Sequence, residues 1–109
     1  MKRILFLCSQ NKLRSPTAET IFADFLGIEV DSAGLNNDAV TPLSPKQLKW
    51  ADIILVMEKA HLNRLNRKFK EHLKGKRVAV LNIPDEFEYM DEELISILYA
   101  RCAPYIPST

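Results

Sequence analysis

The stretch RILFLCSQNKLRSPTAE, residues 3–19, joins an apolar run to a polar turn and then to a segment of helical spacing. Its first part, RILFLC, has consecutive apolar residues, which is typical of a strand covered on both faces in a parallel sheet. A helix is predicted next, with Ser15 as its N-cap, Pro16 in its first turn and Gly27 at its end. Its apolar stripe would consist of Ala18, Ile21, Phe22, Phe25 and Leu26. The stretch therefore predicts a strand–turn–helix unit with Cys8 at the strand end.

The rest of the chain repeats this alternation of strand and helix. Apolar runs predict strands over residues 28–34, 52–57 and 77–83, the second of them central. Helices are predicted over residues 45–50, from about residue 59 to Gly75, and from an Asp91 cap onward. The inward positions of the last two helices would be Leu62, Leu65, Phe69, Leu73, Leu94, Ile95, Leu98 and Cys102. This order favours an α/β fold, an open four-stranded parallel sheet with helices on both faces, in which ligands bind beyond the carboxyl ends of the strands.

Length and composition limit the classes of protein that this chain can belong to. With 109 residues and 47% hydrophobic content, it can bury one modest core, so we expect a single domain over residues 1–109. No stretch approaches the roughly 20 apolar residues that a membrane span needs. The two cysteines, Cys8 and Cys102, form no Cys-x-x-Cys motif, and we expect reduced thiols in a cytoplasmic protein. Neither a metal nor a cofactor is expected.

Charge is segregated along the chain although the formal net charge is only +1. Residues 59–77 hold eight Lys and Arg against one acid, and residues 85–93 hold six Asp and Glu and no base. We interpret both runs as solvated faces. The basic helix has no interleaved aromatic residues, so we expect no nucleic-acid partner, and no membrane partner either.

The turn after the first strand carries the chemistry. Unpaired N–H groups at a helix start attract anions and favour a thiolate over a thiol at Cys8. The guanidinium of Arg14, six positions later, matches two oxygens of a phosphate. Ser15 can donate a hydrogen bond to the sulfur, and Asn11 tolerates left-handed backbone and can hold the shape of the turn. Together these residues predict covalent phosphoryl transfer with Cys8 as the nucleophile.

The motif CSQNKLRSPTAE at this place resembles the low-molecular-weight protein tyrosine phosphatases, whose members carry Cys-x5-Arg-Ser-Pro just after the first strand. The segments VDSAGL and ADIILVMEKAH are similar to the second and third strands of that family. The resemblance implies a flavodoxin-like fold of the phosphotyrosine phosphatase I type. It also implies that the Cys8–Arg14 loop, with Ser9, Gln10, Asn11, Lys12 and Leu13 and with Ser15 behind it, binds the phosphate. Gln10 stands where the family has glycine, a departure that predicts backbone strain or a shifted loop there.

A leaving-group oxygen needs a proton, and the resemblance implies an acid in an Asp-Pro-aromatic loop after the last strand. This chain has IPDEFEYMD there. We predict Asp85 as the general acid, with Asp91 and Glu86 as rivals because no proline follows Asp85. Burial beside the phosphate would favour its protonated form. Phe87 falls where the family's aromatic residue flanks the substrate ring.

The reaction predicted is metal-free hydrolysis of phosphotyrosine or another aryl phosphate, on a phosphorylated protein or a small phosphoester. Phosphate or sulfate should bind in the loop. A phosphate- or phosphopeptide-binding module with weak catalysis remains an alternative, and an arsenate reductase would need two further cysteines. A phosphocarrier subunit is a fourth possibility, against which Arg14 argues. We expect Cys102 in the core, and packing or surface roles for His61, His72 and Trp50.

Overall fold

A computed structural model gives the structure of the chain and describes residues 1–107, so Ser108 and Thr109 of the predicted domain lie outside the described residues. Four strands form one parallel sheet in the order β2-β1-β3-β4. The strands are β1 (Lys2–Cys8), β2 (Ile28–Gly34), β3 (Ile53–Val56) and β4 (Arg77–Val80). The helices are α1 (Arg14–Phe22), α2 (Pro45–Trp50), α3 (Lys59–Phe69) and α4 (Glu92–Cys102), with short 3-10 turns at Lys70–Leu73 and Ala103–Tyr105. The predicted fold class is confirmed.

Side chains alternate between the two faces of the sheet and bury a core on each. On β1, Ile4 and Phe6 pack with α1 and α4 on one face, whereas Leu5 and Leu7 pack with α2 and α3 on the other. Cys8 continues the first series and therefore lies on the α1 side. Because β1 and β3 are the inner strands, both are apolar on both faces, as their unbroken apolar runs predict.

The first helix differs from its prediction at both ends. It begins at Arg14 with Leu13 as N-cap, so the prediction of Ser15 as N-cap is wrong. The Ser15 hydroxyl is used instead by the Cys8 sulfur. The helix ends at Phe22, five residues before Gly27, and the last two members of its predicted stripe, Phe25 and Leu26, are 38% and 79% exposed. Gly27, at φ +85°, forms the turn that leads into β2.

Other local predictions agree with the structure in part. The helix predicted from about residue 59 to Gly75 ends at Phe69 and is followed by a 3-10 turn at Lys70–Leu73. The α2 helix spans the predicted residues, and Ser44 caps it by accepting a hydrogen bond from Gln47 N at 3.4 Å. Asp91 caps α4, since its Oδ1 accepts from Glu93 N at 2.9 Å. Strands β3 and β4 are shorter than their apolar runs because the sheet pairing stops before the runs end. No helix within residues 1–107 is long and apolar enough to cross a membrane.

The strand order determines where the polar residues meet. The chain leaves β1 toward β2 on one side and later returns to β3 on the other side of β1, so the carboxyl ends of β1 and β3 flank a crevice. Cys8 ends β1, and Glu58 follows β3 after one residue. Asp85 follows β4 at the same edge of the sheet. Residues far apart in sequence are therefore brought together there.

Candidate active site

The sulfur of Cys8 accepts hydrogen bonds in a buried position. The Sγ atom lies 2.9 Å from Ser15 Oγ and 3.2 Å from the backbone N of Asn11. Cys8 also lines a small pocket, of about 110 Å³, with Ser9, Gln10, Lys12, Leu13, Arg14 and Asp85. Cys8 therefore belongs both to the core and to the lining of this pocket, whereas its two hydrogen-bond partners, Ser15 and Asn11, are buried behind the pocket lining.

Asn11 fixes the direction of the hydrogen bonds that reach this sulfur. Its amide Nδ2 donates to Ser15 Oγ at 3.0 Å and to Ser32 Oγ at 2.9 Å. Because both hydroxyls accept from the amide, the Ser15 proton is directed to Cys8 Sγ, and the Ser32 proton goes to a carboxylate oxygen of Glu19. Asn11 itself has φ +57°, the left-handed backbone expected for it. The network presents two donors to the sulfur, an arrangement that stabilises a thiolate.

Several residues that line the same pocket have free backbone N–H groups. Within residues 1–107, the N–H groups of Gln10, Lys12 and Leu13 have no protein acceptor. Such a run of free amides at the start of α1 is a concave site for an anion. Gln10 replaces the glycine that is usual in the family this sequence resembles. Its φ is not positive, so the replacement causes no backbone strain.

Gly34 holds the loop against the end of β2. A Cβ atom added to it would lie 2.6 Å from Ser9 O and 3.0 Å from Asn11 N. The next residue, Leu35, donates its N–H to Cys8 O at 2.9 Å, and Asn36 donates to Ser9 O at 3.0 Å. Only a glycine allows this close approach of the two backbones.

Arg14 is buried, and its guanidinium lies at the convergence of three strand ends. The Nη1 atom donates to Ile83 O at 2.7 Å and lies 3.2 Å from Glu58 Oε2. The Nε atom lies 3.8 Å from Asp85 Oδ1. A charge with so little exposure needs partners, and these three groups supply them. The fork of Arg14 is thus held at the wall of the pocket, where an oxyanion can pair with it.

Two residues for which the sequence predicted no role in the site, Glu58 and His61, contact it directly. His61 Nδ1 accepts from Glu58 N at 3.0 Å, so the neutral ring carries its proton on Nε2, which lies 3.0 Å from Ser9 Oγ. Burial, and then the charge of Arg14, lower the pKa of His61 to about 4, and Glu58 only partly opposes this. His61 therefore donates to Ser9 as a neutral side chain. The signal that could have found both residues is their place just after the strand next to β1.

Of the three acid candidates, the structure brings one to the pocket. Asp85 lines it, whereas Asp91 caps α4 and Glu86 is exposed and is not among the lining residues. The Asp85 side chain is 65% exposed, so the burial expected for it is not found. Its neighbours Pro84 and Glu86 are exposed as well, so this part of the segment between β4 and α4 lies at the surface.

Phe87 does not flank the pocket, which corrects its predicted place. It is buried in the core on the α1 and α4 face of the sheet and is not among the residues that line the cavity. The reason is the alternation of the loop, in which Asp85 and Glu86 are exposed while Phe87 turns inward. Lys12, in contrast, is exposed and lines the pocket.

The second cysteine is separate from this chemistry. Cys8 and Cys102 are both free, as expected, and Cys102 is fully buried on the inner side of α4. Burial in apolar surroundings raises its pKa to about 12. The expected core position of Cys102 is confirmed, and such a thiol is inert as a redox partner.

Comparison with known proteins agrees with these features. The sequence model of the low molecular weight phosphotyrosine protein phosphatase family matches residues 3–46. No curated protein sequence matches the chain. The YwlE arginine phosphatase from Geobacillus stearothermophilus has a similar structure, with a TM-score of 0.76 and 23% identity over 96% of this chain and 92% of that one.

Two tyrosine phosphatases are similar to the same extent. The low molecular weight protein tyrosine phosphatase from Streptococcus pyogenes has a TM-score of 0.78 at 16% identity, over 96% of this chain and 91% of that one. The tyrosine phosphatase Wzb from Escherichia coli K30, in complex with phosphate, has a TM-score of 0.77 at 20% identity and 95% coverage of both chains. The predicted resemblance is confirmed, by the family model over the first two strands and by the fold over nearly the whole chain.

Proposed function

We propose that this chain is a member of the low-molecular-weight phosphatase family, a single domain over residues 1–109, and that it hydrolyses phosphomonoesters through a cysteinyl-phosphate. The observation that supports this most is the sulfur of Cys8. It accepts from Ser15 and from Asn11 N at the end of a strand, in a pocket that also holds Arg14 and free backbone amides. Those groups match the needs of a thiolate facing a phosphate.

The reaction follows from the positions of these groups. The Cys8 thiolate attacks phosphorus while the ester oxygen leaves and takes a proton from Asp85. Arg14 and the amides of the loop bind the equatorial oxygens, on which negative charge is spread. Water then attacks the cysteinyl-phosphate and gives a proton back to Asp85. The P–S bond breaks, inorganic phosphate leaves and the thiolate is restored.

The proposed substrates are phosphotyrosine or another aryl phosphate, on a protein or a small molecule. At about 110 Å³, the pocket is smaller than the roughly 300 Å³ at which drug-sized ligand sites begin, so it fits a phosphoryl group and the first atoms of its carrier. Similar structures include two tyrosine phosphatases and an arginine phosphatase, so a substrate panel should include phosphoarginine. A cytoplasmic location is also proposed, which two free cysteines support.

Two substitutions test the mechanism. With p-nitrophenyl phosphate, Cys8→Ser should abolish turnover, and the parent should give a phosphorylated Cys8 after an acid quench, detected by mass spectrometry. Asp85→Asn should reduce kcat by about 10²-fold or more, the usual scale for a general acid. Asp91→Asn is the matched control, since Asn is an equally good N-cap, and it should keep the parent activity.

Other outcomes would point elsewhere. Full activity of Cys8→Ser would exclude the covalent mechanism. Loss of activity in Asp91→Asn, with Asp85→Asn unaffected, would show that Asp91 and not Asp85 is the general acid. Tight binding of a phosphopeptide without turnover by the parent would favour the alternative, a phosphate-binding module that uses the same loop.

A further inference from the structure

A large groove lies behind the Cys8–Arg14 loop and is basic. It has a volume of about 580 Å³, between α3 and the segment that follows β2. Three cations line it, namely Arg64, Arg67 and Lys68, against the single carboxylate of Asp38. Its other lining residues are Leu35, Asn36 and Asn37. We call it the α3 groove, and none of its residues belongs to the phosphate pocket.

Direct hydrogen bonds connect this groove to the wall of the phosphate pocket. Asn36, in the groove, donates its N–H to the carbonyl of Ser9, which lines the pocket. Backbone segments joined in this way lie about 5 Å apart. On the helix side, Arg64 follows one turn after His61, whose ring contacts Ser9 Oγ. The groove therefore begins one backbone width from the site where the phosphate binds.

Hydrogen bonds hold two cations of the groove, Arg64 and Lys68, against the segment that follows β2. Arg64 Nη2 donates to Asn36 Oδ1 at 2.6 Å, and Lys68 Nζ donates to Asn37 Oδ1 at 3.1 Å. Both acceptors are neutral amides, so neither contact neutralises a positive charge. An anionic group entering the groove thus meets a net positive charge, since three cations and one carboxylate line it.

We propose that the α3 groove binds the acidic residues that flank the phosphorylated residue in a protein substrate. The proposal rests on the proposed phosphatase activity and adds the class of substrate. An extended peptide advances about 3.3 to 3.6 Å per residue, so carboxylates about two to four residues from the phosphorylated side chain reach the groove. A nucleic acid fits less well, because no lining residue is aromatic and base stacking has no platform there.

The test compares two phosphotyrosine peptides, one with Asp and Glu around the phosphotyrosine and one with Asn and Gln at the same positions. The parent should have the higher kcat/KM for the acidic peptide. The double variant R67Q/K68Q should lose about 2- to 30-fold in kcat/KM on that peptide, the effect of two exposed ion pairs. It should keep parent activity on the neutral peptide and on p-nitrophenyl phosphate. The preference should also shrink as salt is raised.

The control variant K46Q/K49Q removes the same charge from a different surface, on α2. It should behave like the parent on both peptides. Equal kcat/KM of the parent for the two peptides, or an equal loss in the two double variants, would overturn the groove proposal while leaving the phosphatase proposal intact.

Failure of the phosphatase activity itself is distinguished by binding. If the parent hydrolyses none of the substrates, the proposed function is wrong, and the groove is tested with Cys8→Ser and fluorescently labelled peptides. A tighter Kd for the acidic peptide, lost in R67Q/K68Q, supports the groove, and equal Kd values overturn it. A single-stranded RNA that displaces the acidic peptide from the parent, but has no affinity for R67Q/K68Q, would assign the groove to nucleic acid and also overturn the proposal.

Discussion

We expect the protein to lose stability in mild acid because of one side chain, His61. Burial lowers the pKa of this histidine from 6.5 to about 4, and the Arg14 charge adds to the effect. In the unfolded chain the imidazole has its ordinary pKa, so below pH 6.5 the unfolded state binds a proton that the folded state does not. The stabilising contribution is therefore complete above pH 6.5 and is lost as the pH falls to about 4, where the loss levels off.

The geometry explains why the folded state resists this proton. Nδ1 of His61 already accepts from Glu58 N at 3.0 Å, so a proton on Nδ1 would face another N–H group. At 1.36 kcal/mol per pKa unit, the total loss is about 3 kcal/mol, of which about 2 kcal/mol appears by pH 5. Against an overall stability of about 5–15 kcal/mol, such a loss is easily measured.

The assay is urea unfolding at pH 7, 6 and 5 for the parent and for His61→Gln. Glutamine keeps a donor toward Ser9 and does not titrate, so the parent should lose about 2 kcal/mol more than the variant between pH 7 and pH 5. His72→Gln, at an exposed position of the same basic segment, should lose stability with acid as the parent does. A constant difference between parent and His61→Gln, together with an NMR titration of His61 near pH 6.5, would refute the reasoning.

Three further substitutions test the support of the site. Ser15→Ala removes one hydrogen-bond donor to the Cys8 sulfur. A hydrogen bond to a charged group contributes about 1.5–3 kcal/mol, so kcat/KM for p-nitrophenyl phosphate should fall by about 10- to 150-fold, with little change in fold. Gly34→Ala places a Cβ 2.6 Å from Ser9 O, so we expect about 1–3 kcal/mol lower stability in urea unfolding and a displaced, inactive loop; parent-like activity would contradict this. Phe87→Leu should lower Tm but leave KM for aryl phosphates near the parent value, whereas a selective rise in KM would place this ring at the substrate after all.

Much of the fold could be predicted from local patterns. The inner strands have unbroken apolar runs because both of their faces are buried, so no position along them can be polar. Such runs, each followed by a segment of helical spacing, predict a parallel α/β sheet. The Asp91 cap and the bounds of α2 could also be predicted from the sequence, since capping depends only on neighbouring residues. The same locality misled at Ser15, where a residue suited to capping is instead engaged by a sulfur seven positions earlier.

Part of the site, too, could be predicted from the sequence, and part depended on the tertiary structure. The spacing of Cys8, Asn11 and Arg14 within one turn by itself predicted that a thiol and a guanidinium would lie close together, and Cys8 and Arg14 line the same pocket. Only the tertiary structure decided which residues support them. Glu58 and His61 lie at the start of α3, and the pairing of β1 with β3, which no local pattern encodes, brings them to the site. It also decided that the Asp85 side chain is largely exposed, that Phe87 is buried in the core and that a basic groove lies behind the Cys8–Arg14 loop. These depend on the packing of segments tens of residues apart, which hydrophobic periodicity does not specify.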